Sequence, residues 1–355
     1  MFADLRLSRR DLLKASASTA LASLSARVLA AAPEPTSVTP GLIEAARQEG
    51  KFAWYAALDL PIAEKIARAF EGKYPGIACR LERAGAERIF QRLGQEYGSR
   101  IHAADVIESS DASHFIVWKR AGWLAPCVPE DVATLYPADH KDPDGMFATW
   151  RVGFSVIGYN TNLVKPEDAP KSFADLLDPK WTGRLVKAHP AYSGTSLTAT
   201  FQIARELGWP YFERLAKQKV MQVQSANDSP KKIGVGERAV MVDGNEHQLI
   251  RLREAGQPVE AVYPLEGTPL IVSPAGVLKN APSPNAARLF QSWLFSAEAQ
   301  QLVVDLSALH SVHPMVREKP GRMPFRNINA MKDDPAAVEA QSEEIKARYT
   351  KYFKV

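Results

Sequence analysis

The chain has 355 residues, 46% hydrophobic and 24% charged, with a formal charge of +4. That length fits about two domains of roughly 150 residues each, with enough apolar residues for a sizeable core. Five basic residues (Arg6, Arg9, Arg10, Lys14, Arg27) against two acidic ones (Asp4, Asp11) place +3 of that charge within residues 1–32; the remainder carries about +1, which gives no support to a basic face for nucleic acid.

In chain order, Ser8-Arg9-Arg10-Asp11-Leu12-Leu13-Lys14 fits the twin-arginine export pattern, with Leu12 where Phe is most usual. A mildly apolar Ala/Ser run follows over 15–26, and Ala30-Ala31-Ala32 offers small side chains to a signal peptidase. The run is too short and too weakly apolar for a membrane span, and Arg27 interrupts it. Residues 1–32 thus read as a twin-arginine signal peptide, which predicts a periplasmic location. A Pro/Ser/Thr-rich tether over 33–40 comes next. Strands are predicted at 51–57, 77–81 and 104–108. One helix starts at Asp59 and Pro61, with Ile62, Ile66, Ala69 and Phe70 on one face; another spans 87–97; a third is capped by Ser110 or Asp111. This β-α alternation is the rhythm of an open parallel sheet with helices on both faces.

The rhythm lapses over the loop-rich stretch 128–145, and a strand-like segment follows at 149–159. A second alternating unit has strands at 184–188, 220–223, 239–242 and 259–262, with helices starting near Ser196, Pro210, Asp228 and Asn245. A last strand pair, 270–272 and 276–278, leads into helices at 285–295 and 297–306. The predicted fold class is therefore α/β with two lobes. Residues 33–153 plus 272–355 form a discontinuous lobe 1 and residues 154–271 form lobe 2, joined by a hinge. Ligands of open α/β sheets bind beyond the carboxyl ends of the strands, so a ligand cleft is expected at the lobe interface.

The segment Tyr263-Pro-Leu-Glu-Gly-Thr-Pro-Leu-Ile-Val-Ser-Pro-Ala-Gly-Val-Leu-Lys-Asn-Ala, followed by Ala286-Ala287-Arg288-Leu289-Phe290, resembles the periplasmic solute-binding proteins of ABC importers, in their ferric-iron-type branch. Gly158 to Val164, Leu176 to Arg184 and Ala121-Gly122-Trp123-Leu124 agree with it. The resemblance covers almost all of the chain after residue 32 and implies a type II periplasmic-binding-protein fold. It departs at one place. Ferric-ion binders of this branch usually carry adjacent tyrosines after a buried strand, and the trailing pattern Arg251-Leu252-Arg253-Glu254-Ala255-Gly256 sets that pair on Glu246 and His247. Neither supplies a hard phenolate donor for a trivalent cation.

Candidate ligand contacts are polar residues at predicted strand ends and helix starts. Ser193-Gly194-Thr195, with Tyr192 beside it, opens a helix whose free N–H groups attract anions. Ser109 and Ser110 hold the matching place in lobe 1, as does Asp59 after the first strand. Asn227 and the dense cluster Asp243, Asn245, Glu246 and His247 follow further strands of lobe 2. Arg151, just before the crossover, offers a planar fork for a carboxylate or phosphate. Gly234-Val235-Gly236-Glu237-Arg238-Ala239 mimics a dinucleotide fingerprint but closes a helix rather than opening one, so it is rejected. His310 and His313 lack a third metal ligand nearby, and Pro314 ends any helix there. Cys79 and Cys127 permit a disulfide, with two separately buried thiols the reading favoured over it. No nucleophile–base motif is present, so no catalytic residue, metal or cofactor is expected. The expected function is capture of a small anionic organic solute, a carboxylate or a phosphate or phosphonate ester, for an ABC permease of the inner membrane by a monomeric protein. The alternatives are a ferric-ion or metal-chelate binder for iron uptake, and a periplasmic ligand sensor.

Overall fold

The computed structural model describes residues 33–355, so the twin-arginine segment lies outside the described residues. The fold is mixed α/β with two lobes, each built on one sheet. In the first lobe, helix α1 (Pro40–Glu49) precedes strand β1 (Lys51–Ala56), helix α2 (Leu60–Lys73), strand β2 (Ala78–Arg83), helix α3 (Ala86–Gly98), strand β3 (Val106–Glu108), helix α4 (Ser113–Arg120), strand β4 (Leu124–Ala125) and strand β5 (Ala148–Phe154). The second lobe follows as β6 (Ile157–Asn160), β7 (Leu185–Ala188), α5 (Gly194–Leu207), α6 (Trp209–Ala216), β8 (Met221–Val223), α7 (Asp228–Gly234), β9 (Val240–Met241), α8 (Glu246–Glu254) and β10 (Val259–Val262). The chain returns through β11 (Leu270–Leu278), α9 (Pro284–Leu294) and α10 (Ala297–Ser307), and ends in α11 (Pro335–Phe353).

The first sheet runs β2-β1-β3-β11-β4, with β5 also paired to β11; the second runs β8-β7-β9-β6-β10. Five of the six residues of β1 are buried, as expected of a strand covered on both faces. Phe52 and Trp54 pack on Phe290 with ring centroids 4.7 and 5.1 Å apart, which ties the first strand to a helix more than 200 residues later. The core of the second lobe gathers Phe173, Trp181, Tyr211 and Phe212.

Two features depart from the sequence reading. The predicted strand pair at 270–278 is one strand, antiparallel to β5 from Leu270↔Phe154 to Ala275↔Ala148, with a register shift at Ser273/Pro274. Pro274 lacks an N–H for the ladder, and Trp150 is the extra residue on the opposing strand. β5 leads into β6 of the second sheet, and β11 follows β10 of that sheet. Second, the 19-residue helix α11 had no counterpart among the predicted elements. It buries Val338, Ile345 and Tyr349, against Leu197, Phe201 and Phe212 of the second lobe, and it also contacts α4 of the first. Three buried side chains in 19 residues leave too sparse a stripe to read from sequence. Both cysteines are free thiols, in line with the second of the two readings, and burial pushes the Cys127 thiol up to about 11. Among the described residues, no helix is long and apolar enough to cross a membrane.

Candidate functional site

The carboxyl ends of strands from both sheets face one cleft. The first lobe lines it with Ala57, Leu58 and Asp59 after β1, Arg83 at the end of β2, Gly85 and Ala86 at the start of α3, Ser110 after β3, and Arg151 on β5. The second lobe adds Tyr192 to Thr195 after β7, Ser225 to Asn227 after β8, and Asn245 and His247 after β9. Gly153, Ile271 and Leu309 complete the lining. The lobes stand close together: the water-accessible space is ≈ 40 Å³, enough for roughly three water molecules at about 10–15 Å³ each.

Of the residues predicted from sequence, Asp59, Ser110, Arg151, Tyr192, Ser193, Gly194, Thr195, Asn227, Asn245 and His247 line this cleft. Ser109, Asp243 and Glu246 do not; all three turn into the interior. Ser109 Oγ lies 2.9 Å from His114 Nδ1. Asp243 is ion-paired with Lys187, a partner 56 residues away in sequence. Glu246 accepts from Arg322 at 2.8 Å and from the Tyr263 hydroxyl, and these cationic and hydroxyl neighbours with His310 hold its carboxyl below the usual range despite burial. Sequence reading missed Arg83, Gly85 and Ala86 in the first lobe and Ser225 in the second. The start of α3 carries no capping side chain that would mark it.

Helix starts dominate the walls. The starts of α3, α5 and α8 meet at the cleft, with Asp59 just before α2, and α3 and α8 have no side-chain cap. Their first N–H groups have no partner within the helix and carry partial positive charge. At α5 the Ser193 hydroxyl accepts from Ser196 N at 3.3 Å and from Ala226 N at 3.4 Å, which fixes two wall segments to one another. Gly194 is required by contact: a Cβ there would lie 2.7 Å from Asp111 Cβ and 3.1 Å from Ala86 Cβ, so only glycine lets α5 dock against the first lobe.

The floor holds unsatisfied donors. Arg151 is buried and ion-paired with Glu108, whose second oxygen accepts from Ala57 N at 2.6 Å and Leu58 N at 3.1 Å. Its Nε has no partner. His247 is 4% exposed, and neither ring nitrogen has a partner. Burial, then the charges of Arg151, Arg251, Arg322 and His310, hold its pKa well below the usual 6.5, so the imidazole is neutral with one donor and one acceptor. Asp59, the one carboxylate in the lining, is ion-paired across the lobes with Arg251 at 2.7 Å. An unpaired buried polar group costs about 1–3 kcal/mol, so this floor is built to be completed by a bound acceptor.

Residues 103–326 match the model of the bacterial extracellular solute-binding protein family. The chain belongs to this family. Its structural neighbours are two-lobe type II periplasmic binding proteins of the ferric-binding type, and the family supplies the substrate-binding components of ABC importers, which pair with a permease. A similar relative is "Iron uptake protein A2" of Synechocystis, 26% identical over 253 residues, covering 66% of this chain and 71% of the relative. The iron-bound HitA of Pseudomonas aeruginosa superposes with a TM-score of 0.74 at 26% identity, over 85% of this chain and 99% of HitA. The periplasmic binding protein AfuA of Actinobacillus pleuropneumoniae, with fructose-6-phosphate bound, superposes with a TM-score of 0.80 at 22% identity, over 86% of this chain and 99% of AfuA. These relatives are binding proteins rather than enzymes.

Proposed function

We propose that this solute-binding protein is exported through its twin-arginine segment and captures a small anionic organic solute in the periplasm, as a monomer. The solute class is a carboxylate or a phosphate or phosphonate ester, passed to an ABC permease of the inner membrane. The lobes divide at 153/154 and 271/272, and closure pivots on the paired strands β5 and β11.

The observation that carries the solute class is the floor: Arg151 Nε and both His247 nitrogens are buried and unpartnered, beneath uncapped helix starts. Donors and partial positive charge from both lobes converge there, which favours an anion and rewards closure. A ferric ion needs hard anionic donors. In this lining the carboxylate is already neutralised by Arg251, and Tyr192 is 53% exposed at the rim.

Calorimetric titration with a panel of carboxylates, phosphate esters and phosphonates tests the reading, with ferric citrate run in parallel. At least one anion is expected to bind at one per chain, raise the melting temperature, and lose affinity in Arg151→Gln. A phenolate-to-iron absorption band with ferric citrate, and no response to any iron-free anion, overturns it in favour of iron uptake.

A further inference from the structure

Behind the cleft wall, outside its lining, lies a second buried polar cluster. Glu87 on α3 and Asp111 and His114 at the start of α4 place one carboxylate oxygen each and a ring nitrogen within 4.8 Å of one another, all three residues buried. His114 Nε2 lies 3.2 Å from Glu87 Oε1 and 3.6 Å from Asp111 Oδ2. A tetrahedral ion with bonds of about 2.0–2.1 Å needs ligand separations of roughly 3.3 Å, which these distances approach. Asp111 is 1% exposed, and its Oδ2 is without a hydrogen-bond partner although its Oδ1 accepts from Ser113 N at 2.9 Å. An orphaned carboxylate oxygen this deep, aimed at an imidazole and a second carboxylate, points to a cation.

We propose that Glu87, Asp111 and His114 form a binding site for a divalent transition-metal ion of the zinc class, distinct from the solute cleft. Borderline ions of this kind take mixed imidazole and carboxylate ligands. The surroundings suit the role. Ser109 Oγ lies 2.9 Å from His114 Nδ1; in the tautomer whose Nδ1–H donates to that hydroxyl, the lone pair of Nε2, 3.2 Å from Glu87 Oε1, is available to a metal. Phe90 stacks on the imidazole with centroids 4.4 Å apart and fixes its plane. Lys346 of α11 holds the other face of Glu87 through Oε2 at 3.1 Å, leaving Oε1 to the ion. Gly194 of the second lobe covers Asp111, so opening of the lobes supplies an entry path. Occupancy would tie α3 to the turn bearing Ser110, a cleft-lining residue.

The test is zinc chloride titrated calorimetrically into chelator-treated protein, with cobalt(II) as a spectroscopic probe. One zinc per chain is expected, with a visible cobalt band of tetrahedral intensity. Zinc affinity should fall about 100-fold or more in His114→Ala and Asp111→Asn, and by roughly 10-fold in Ser109→Ala, where only the ligand's supporting partner is removed. His247→Ala, in the cleft, should leave zinc binding intact. Should His114→Ala fail to fold, the cobalt spectrum of Glu87→Gln decides, and it should lose its tetrahedral intensity. Substoichiometric zinc in the wild type, or one zinc retained in both ligand variants, overturns the proposal. Neither result touches anion binding by the cleft, which is read separately.

Discussion

Lys187 and Arg151 are both buried cations on sheet strands, yet their surroundings differ. Lys187 is fully buried, donates to Asp243 and reaches Ser196 Oγ at 3.2 Å, and Asp243 is closed off from the cleft. Arg151 shares one nitrogen with Glu108 and keeps Nε unpartnered beside a His247 with two idle ring nitrogens. The first pair is complete in itself and holds β7 to the turn after β9. The second set is complete only with a ligand. What separates a structural charge from a binding charge here is an unspent hydrogen-bonding atom facing the cleft, rather than burial or residue type.

The largest effect that could break this contrast is loss of one partner of the closed pair. Asp243→Ala leaves Lys187 uncompensated and should cost about 3–5 kcal/mol of stability, read by urea denaturation. A loss under about 1 kcal/mol would mean that the pair is solvated and is no structural unit. Next comes Gly194→Ala, whose methyl group would press on Asp111 and Ala86. It should hold the lobes apart and weaken the solute by 10-fold or more on the scale of about 1.4 kcal/mol per tenfold, with both lobes still folded. Unchanged affinity with an unchanged scattering profile would show that closure does not need this contact.

His247→Gln should lower solute affinity by roughly 10-fold, the worth of about one net hydrogen bond. Stability should stay near wild type at neutral pH, opposite to the pattern at Asp243. The same residue sets a pH dependence. Its folded pKa is depressed, so between that value and the unfolded value near 6.5 the unfolded chain binds the extra proton. The stability associated with neutral His247 is therefore full above about pH 6.5 and is lost as pH falls, at up to about 1.4 kcal/mol per pH unit. Melting curves from pH 7 to 5 should fall more steeply for wild type than for His247→Gln; parallel curves would place the titration elsewhere. The smallest effect is expected at Asp59→Asn, which removes the partly exposed ion pair with Arg251 and should change affinity by less than about 5-fold.

Much of the architecture was legible because hydrophobic pattern and turn chemistry are local. The strand 51–57 and the helix starting at Asp59 and Pro61 correspond to β1 and α2. Phe154 and Ile271, where the chain is expected to cross, both lie on the paired strands β5 and β11. The Ser193 helix start was also readable, since an N-cap and a following glycine are neighbours in the chain. What the sequence could not rank was which polar residues at strand ends reach the cleft. Asp243 and His247 are four residues apart and looked alike. One meets Lys187 because β7 and β9 lie side by side in parallel register, Val240 against Leu185 and Met241 against Val186. The other points into the space between lobes. Pairing of strands distant in sequence assigns a partner to one and leaves the other without. The sparse face of α11 gains its meaning only from the helices it lies across. The sequence by itself determined most of the elements, the two-lobe architecture and the family; tertiary structure decided which charges are spent, because that depends on neighbours the chain brings together from far apart.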